Sequence, residues 1–367
     1  MLNRRIRVLF KGLRKYPGSA GQIAQKIIHD CYNQKKDYFM VSSSNGHFCE
    51  FYARDFGWCT EALLKLGYRN EVINTLEYAL KIFDNHGRIE QSINPSGKPF
   101  TFPDKYSPDA LAFLVRSLKL AKAFDLIKKY KSFLNNEIKR YYVLVIDEST
   151  GLVRKDKTFS SMKDHALRQS SCYDNVITGM LSNDLHEIKI LNNPFKKYDY
   201  RKIIIDDFWN EDRGYFLDDL SGNKIICGDA NVIPFWSGLI DDKSMLKKTI
   251  NTLRKNGLDK PLPLKYAGKK YKEHEMISEE VLASGYERET AWAHVGLMYI
   301  KIVLKADKKL AKEYLEQYRK KIEKYHTFIE LYSPDGKPFK TLLYYADESM
   351  LWAANYLYLK KQIISIP

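Results

Sequence analysis

Carboxyl groups displayed on separate supports can serve as proton donor and base toward one bond. This chain of 367 residues offers acids in such places. Arg54 and Asp55 stand in Phe-Tyr-Ala-Arg-Asp-Phe-Gly-Trp-Cys (51–59), and Asp164 closes Ser-Ser-Met-Lys-Asp (160–164). Glu287 and Glu289 lie in Gly-Tyr-Glu-Arg-Glu-Thr-Ala-Trp (285–292), and Glu330 in Phe-Ile-Glu-Leu-Tyr-Ser-Pro-Asp-Gly (328–336). Tyr52, Trp58, Arg288 and Trp292 accompany them. Hydrolysis of a glycosidic bond needs two such carboxyl groups, one protonated to release the leaving oxygen and one ionised to act from the opposite face of the sugar, and rings and a guanidinium can orient that sugar. Taken singly, each stretch reads equally well as a helix cap or a solvated turn.

The supports are helices. Asp55 can cap a helix whose apolar residues Ala62, Leu63 and Leu66 run at helical spacing to a stop at Gly67, and residues 70–83 form an antiparallel partner. Helical periodicity also marks 20–32, 110–123 behind a Ser107 cap with Pro108 at the first position, 124–146, 171–185, 198–207, 230–240, 243–255, 285–304, 307–325 and 341–359. Only 214–228 reads as sheet, a hairpin turning at 221–223. Ser-Gly-Lys-Pro-Phe at 96–100 and Asp-Gly-Lys-Pro-Phe at 335–339 each precede a helix, a weak internal repeat of the kind that hairpins around a circle produce. The expectation is a basic segment over 1–19 and one domain over 20–367.

Composition narrows the function classes. The formal charge of +15 invites a nucleic-acid partner, but the lysines are scattered over helix faces and no recognition motif accompanies them, so none is expected. Five cysteines without C-x-x-C spacing suggest reduced thiols and no thiolate metal site. No apolar run reaches about 18 residues, so no membrane span is expected, and a cytoplasmic protein follows. Phosphate-loop, nucleophile-elbow and zinc-protease motifs are missing, and His274-Glu275 stands isolated. No metal or cofactor is expected.

In order, these motifs resemble the six-hairpin, (α/α)6-barrel glycosidases, in particular the glucoamylase type, the glucosidase domain of glycogen debranching enzymes and the processing α-glucosidases. Tyr52-Ala53-Arg54-Asp55 is similar to their aromatic-x-Arg-Asp segment, whose Arg and Asp hold the sugar. Ser161-Met162-Lys163-Asp164 resembles the Trp-Met-Asp segment with the general acid, one residue longer and without the tryptophan. The loop at Glu330 is similar to Glu-x-Tyr-x-Pro-x-Gly, whose Glu is the general base. The resemblance implies an all-α toroid with a small β-hairpin insertion, a carbohydrate substrate, and inverting cleavage of an α-glucosidic bond. It further implies Asp164 and Glu330 as catalytic residues, with Tyr52, Arg54, Asp55, Trp58, Arg288, Glu289 and Trp292 as sugar contacts. A trehalase, a glycerate-glycoside hydrolase, an epimerase and a non-catalytic glycan-binding toroid share that fold and stay open.

Overall fold

Helix follows helix along the chain, and the distribution of apolar residues sorts them into two layers. A computed structural model describes residues 2–44, 46–268, 281 and 283–364. Among these residues are fourteen α-helices. They are α1 (Leu2–Lys11), α2 (Ala20–Cys31), α3 (Ala53–Leu66), α4 (Arg69–His86), α5 (Pro108–Leu120), α6 (Phe124–Lys129) and α7 (Lys131–Val145). There follow α8 (Cys172–Ile188), α9 (Tyr200–Phe208), α10 (Gly228–Trp236), α11 (Lys243–Lys255), α12 (Ala293–Ala306), α13 (Lys308–Tyr325) and α14 (Ala353–Ile364).

α3, α5, α8, α10 and α12 are buried on most faces, and with α14 they touch in sequence until α14 meets α3 and closes a ring. Outside it, α4, α7, α9, α11 and α13 each pack on the inner helix that precedes them, while α2 packs on α14 and so joins the two ends of the toroid. An outer helix needs only one apolar stripe, and α13 has it in Leu310, Tyr314, Tyr318 and Ile322, spaced four apart. Each fully buried Leu or Ile in such a stripe stabilises the layer contact by about 1.5–3 kcal/mol. This is the six-hairpin (α/α)6 toroid that the motifs implied. No helix among the described residues is long and apolar enough to cross a membrane, and the five thiols are free.

Several boundaries differ from the sequence expectation, each for a local reason. Tyr52 pairs with Ser92 in a short antiparallel ladder and keeps extended angles, so α3 begins at Ala53 and the N-cap position belongs to Tyr52 rather than Asp55. Tyr130 leaves helical geometry and splits 124–146 into α6 and α7. Residues 291–292 pair with 331–332, and Gly285 takes φ +83°, so the helix expected over 285–304 starts only at Ala293. The helix expected over 341–359 starts at Ala353, because Ser349 adopts φ +57° in an irregular loop. The hairpin lies earlier than expected, Trp209–Asn210 pairing with Tyr215–Phe216, and the stretch after it is organised instead by Asp219, which accepts from Ser221 and Asn223.

Candidate functional site

The inner helices begin at one end of the toroid, and three of them begin alike. Phe51-Tyr52-Ala53, Ala291-Trp292-Ala293 and Leu351-Trp352-Ala353 each place a bulky ring just ahead of α3, α12 and α14. These rings face a cavity of about 780 Å³ counted out to its open mouth, within the range of small-molecule sites. Tyr52, Arg54, Asp55, Trp58, Asp164, Trp292 and Glu330 all line it. Arg288 and Glu289 are half-buried and are not among the lining residues, while their neighbours Tyr286 and Glu287 are. His274 and Glu275 lie outside the described residues.

Glu330 is buried at the cavity wall. Its carboxylate accepts from the Tyr286 hydroxyl, from the Tyr344 hydroxyl at 2.6 Å and from the backbone N–H of Asp347 at 2.7 Å. Loss of water raises its pKa to about 7, the Asp347 charge pushes the same way, and the three donors pull back. A carboxyl group poised there exchanges its proton near neutral pH, as an acid-base catalyst must.

Asp164 sits opposite in character, its side chain about a quarter exposed. Its oxygens accept from Ser160 Oγ at 2.9 Å and Gln91 Nε2 at 3.3 Å, and Arg54 approaches them at 3.4–3.5 Å. Its loop is tied down from two sides. The buried Glu287 carboxylate accepts from the N–H groups of Asp164, His165 and Ala166 at 2.7–3.1 Å, binding three successive amides to one anion. On the other side Lys163, the residue that lengthens this segment, is wholly buried with Nζ 3.1 Å from Asp218 and 2.9 Å from Asp229. Arg168 joins the same cluster at 3.3 Å from Asp229.

That cluster is also where a metal would be sought, since Asp218, Cys227 and Asp229 bring ligand atoms within 4.8 Å of one another. The Lys163 ammonium and the Arg168 guanidinium already balance both carboxylates, and a divalent cation there would face two buried positive charges. Lys163→Met is therefore expected to destabilise the fold by about 3–5 kcal/mol, because it strips one cation from two buried anions. A denaturation midpoint equal to wild type would remove Lys163 as the anchor of the Asp164 loop.

A common physical device recurs at the starts of the inner helices, of whose first-turn aspartates Asp55 lines the cavity. Asp55, Asp109, Asp174 and Asp229 each fall in the first turn of an inner helix, where the helix dipole favours negative charge. Buried Arg54 joins two of them: its guanidinium bonds the carbonyl of Ser161, lies 3.4 Å from Asp109 and 3.8 Å from Asp55, and reaches Asp164. The sugar-binding arginine of the resemblance thus spends its two terminal nitrogens on the protein, linking α3 to the Asp164 loop, while its Nε makes no hydrogen bond among the described residues. Asp55 accepts from Trp352 Nε1 at 3.1 Å, and burial raises its pKa to about 7 against the pull of Arg54.

Sequence reasoning missed part of the wall. His294 stacks on Trp58 with centroids 4.2 Å apart and 7° between planes, and Trp352 closes on it at 4.5 Å. Tyr266 stacks on Trp292 at 4.8 Å. Burial holds His294 far below its ordinary pKa, so it is a neutral ring in the wall. The repeated aromatic-Ala step at the helix starts was the signal for Trp352; nothing in the sequence pointed to Tyr266, Gln91 or His294.

Neither the protein-family models nor the curated proteins contain a match to this chain. Solved structures do match its fold. A rhamnosidase from Klebsiella oxytoca with rhamnose bound superposes with a TM-score of 0.65 at 11% identity, over 95% of this chain and 66% of that one. The GH63 mannosylglycerate hydrolase from Thermus thermophilus, in complex with Tris and D-glycerate, gives 0.65 at 12%, over 93% of this chain and 100% of that one. A bacterial glucoamylase complexed with acarbose gives 0.66 at 16%, over 98% and 56%. The chain thus spans about two thirds of the rhamnosidase, just over half of the glucoamylase and the whole length of the hydrolase. By its closed ring of six inner helices and by these likenesses, the chain has the six-hairpin (α/α)6 glycosidase fold.

Proposed function

We propose that this chain is a glycoside hydrolase that cleaves an α-glucosidic bond of an oligo- or polysaccharide with inversion, Asp164 acting as general acid and Glu330 as general base. The observation that carries the reading is one aromatic cavity in which two of the four carboxyl groups lining it among the described residues stand in unlike surroundings, Glu330 buried among tyrosine hydroxyls and Asp164 partly open to water. In the reaction Asp164 protonates the glycosidic oxygen, and Glu330 takes a proton from a water that attacks the anomeric carbon from the far side. Inversion needs carboxyl groups roughly 6.5–9.5 Å apart to admit that water. Arg54 acts through Asp164 as a positioning residue, and Asp55 accepts sugar hydroxyls beside Trp352. Arg54, the one arginine among the described residues of the cavity lining, is engaged by three carboxylates, which favours a neutral sugar over a glycerate glycoside.

A reversed assignment, Glu330 as acid and Asp164 as base, is favoured by one observation, the Glu330 proton held to about pH 7. Incubation with maltose, maltotriose, isomaltose, panose and trehalose tests the activity, and proton NMR of the first glucose released reads the anomer. Release of the β-anomer from an α-glucoside supports inversion; no glucose from any of them, or α-glucose first, sinks the proposal.

Asp55 supplies a separate check. Because it occupies the third position of α3 rather than its cap, and because burial disfavours its charge, Asp55→Ala is expected to lower turnover about a hundredfold without lowering the melting temperature at pH 8. A variant that melts earlier yet turns over at the wild-type rate would take Asp55 out of the site.

A further inference from the structure

The basic N-terminal segment, unused by the reaction above, reaches the catalytic wall from the opposite end of the chain. Asp347 and Glu348 have wholly buried side chains, and α1 brings the cations that balance them. Arg4 Nε lies 2.8 Å from Asp347 Oδ1, an ion pair whose N–H is not aimed along the contact. Its two terminal nitrogens bond Glu348 and the carbonyls of Tyr345 and Ala346, and Arg7 pairs with the other Glu348 oxygen at 2.6 Å.

Asp347 is in turn a hinge pin. Its N–H donates to Glu330 Oε2 at 2.7 Å and its carbonyl accepts from the Glu330 N–H at 3.0 Å, so the two residues hold each other reciprocally. Its Oδ2 accepts from the N–H groups of His47 at 2.8 Å and Phe48 at 3.0 Å, the latter a residue of the cavity lining. The turn lies so close that a Cβ on Gly46 would stand 2.8 Å from that oxygen and closer still to Ser42.

We propose that α1 is a clasp of the active site, in which Arg4 is a positioning residue that fixes Asp347 and, through it, both Glu330 and the 47–48 edge of the cavity. The proposal rests on the reading of Glu330 as the base. The groups around Glu330 are the Tyr286 and Tyr344 hydroxyls and Asp347; those around Asp347 and Glu348 are Arg4, Arg7 and His47, with Tyr344 and the Cys31 and Cys49 thiols toward Asp347 and Tyr345 toward Glu348. Burial takes His47 down to about 4, so near neutral pH the arginines carry the compensating charge. Without Arg4, the Asp347 carboxylate acts on Glu330 with less screening and its N–H is less firmly aimed, and both effects raise the proton affinity of Glu330.

The chain and its Arg4→Ala variant would be compared by amide hydrogen exchange and by the pH profile of kcat/KM on maltose. Expected are faster exchange at the amides of His47, Phe48 and Asp347 with α9 and α11 unchanged, an acid limb moved up by roughly half a pH unit, and kcat lowered about tenfold. Wild-type exchange at those amides overturns the clasp. An absence of hydrolysis by the wild-type chain would end the hydrolase reading, and the exchange data would still decide the clasp. Should Arg4→Ala fail to fold, Arg4→Lys keeps one charge near Asp347 and loses the fork; faster exchange confined to the same amides supports the clasp, and unchanged exchange overturns it.

Discussion

Glu330→Gln is expected to lower turnover by three orders of magnitude or more, since an amide cannot take a proton from the water that attacks in the single displacement. The replacement keeps the shape of the group and an oxygen that accepts from Tyr344, so the wall should stay in place. Stability gives an independent reading. The folded-state pKa of Glu330 is raised from 4.5 to about 7, so the folded chain binds the extra proton. That contribution is fully present below the unfolded pKa near 4.5 and is lost as pH rises through about 7, where the buried charge costs on the order of 3 kcal/mol. The glutamine variant carries no such charge. Its melting temperature should therefore fall less than that of wild type between pH 5 and pH 8, and at pH 8 it should be at least as high. Turnover within tenfold of wild type would remove Glu330 from the mechanism. A low melting temperature at both pH values would instead mark a structural role.

Much of the toroid was legible because helical periodicity is a local signal. The stripes of α2 and α13 and the Ser107-Pro108 start of α5 follow from residues three and four apart. The failures have a shared cause in contacts made far along the chain. Ladders between 51–52 and 92–93, and between 291–292 and 331–332, hold the ends of α3 and α12 extended, and no window of a dozen residues contains both partners. The irregular 341–350 loop was hidden for the same reason: Tyr344 and Asp347 are bound to Glu330, and Asp347 and Glu348 to Arg4.

The site was legible in its acids and less so in its supports. Arg54, Asp55, Asp164 and Glu330 stood out because each falls in a short stretch similar to a glycosidase motif, a signal that such acids outside the helices as Asp147, Asp156 and Asp219 do not carry. Glu287 was visible as an acid, but its grip on the amides of 164–166 is a matter of tertiary placement. Lys163 shows the reverse. In sequence it lengthens a segment similar to Trp-Met-Asp by one residue, and in the structure that added residue is the buried cation that fastens the segment to Asp218 and Asp229. The lengthened segment still delivers Asp164 to the cavity, because the added side chain turns away from it into the charge cluster.

Asp164→Asn separates the acid from the base more sharply than any loss of activity can. As the general acid, Asp164 matters in proportion to how badly the leaving group needs a proton. With maltose the departing glucose oxygen is strongly basic, and the variant should lose about a thousandfold or more in turnover. With an activated α-glucoside such as α-glucosyl fluoride, which departs without protonation, bond breaking no longer depends on the carboxyl group, and the variant should retain turnover within about tenfold of wild type. Glu330→Gln should be inactive on both substrates, since the water still has to be deprotonated. The reversed assignment exchanges these outcomes: Glu330→Gln would keep the activated substrate and Asp164→Asn would lose it. The amide introduced by Asp164→Asn would still accept from Ser160 and Gln91 but would present no charge to Arg54, so Gln91→Leu serves as the control for the hydrogen-bond frame alone. That control leaves the carboxyl group and its guanidinium in place and should lower turnover on maltose by no more than about tenfold. A loss on maltose in Asp164→Asn no larger than in Gln91→Leu would mean that this carboxyl group only orders its loop, and the acid would have to be sought elsewhere in the cavity wall, with Glu287 next in reach.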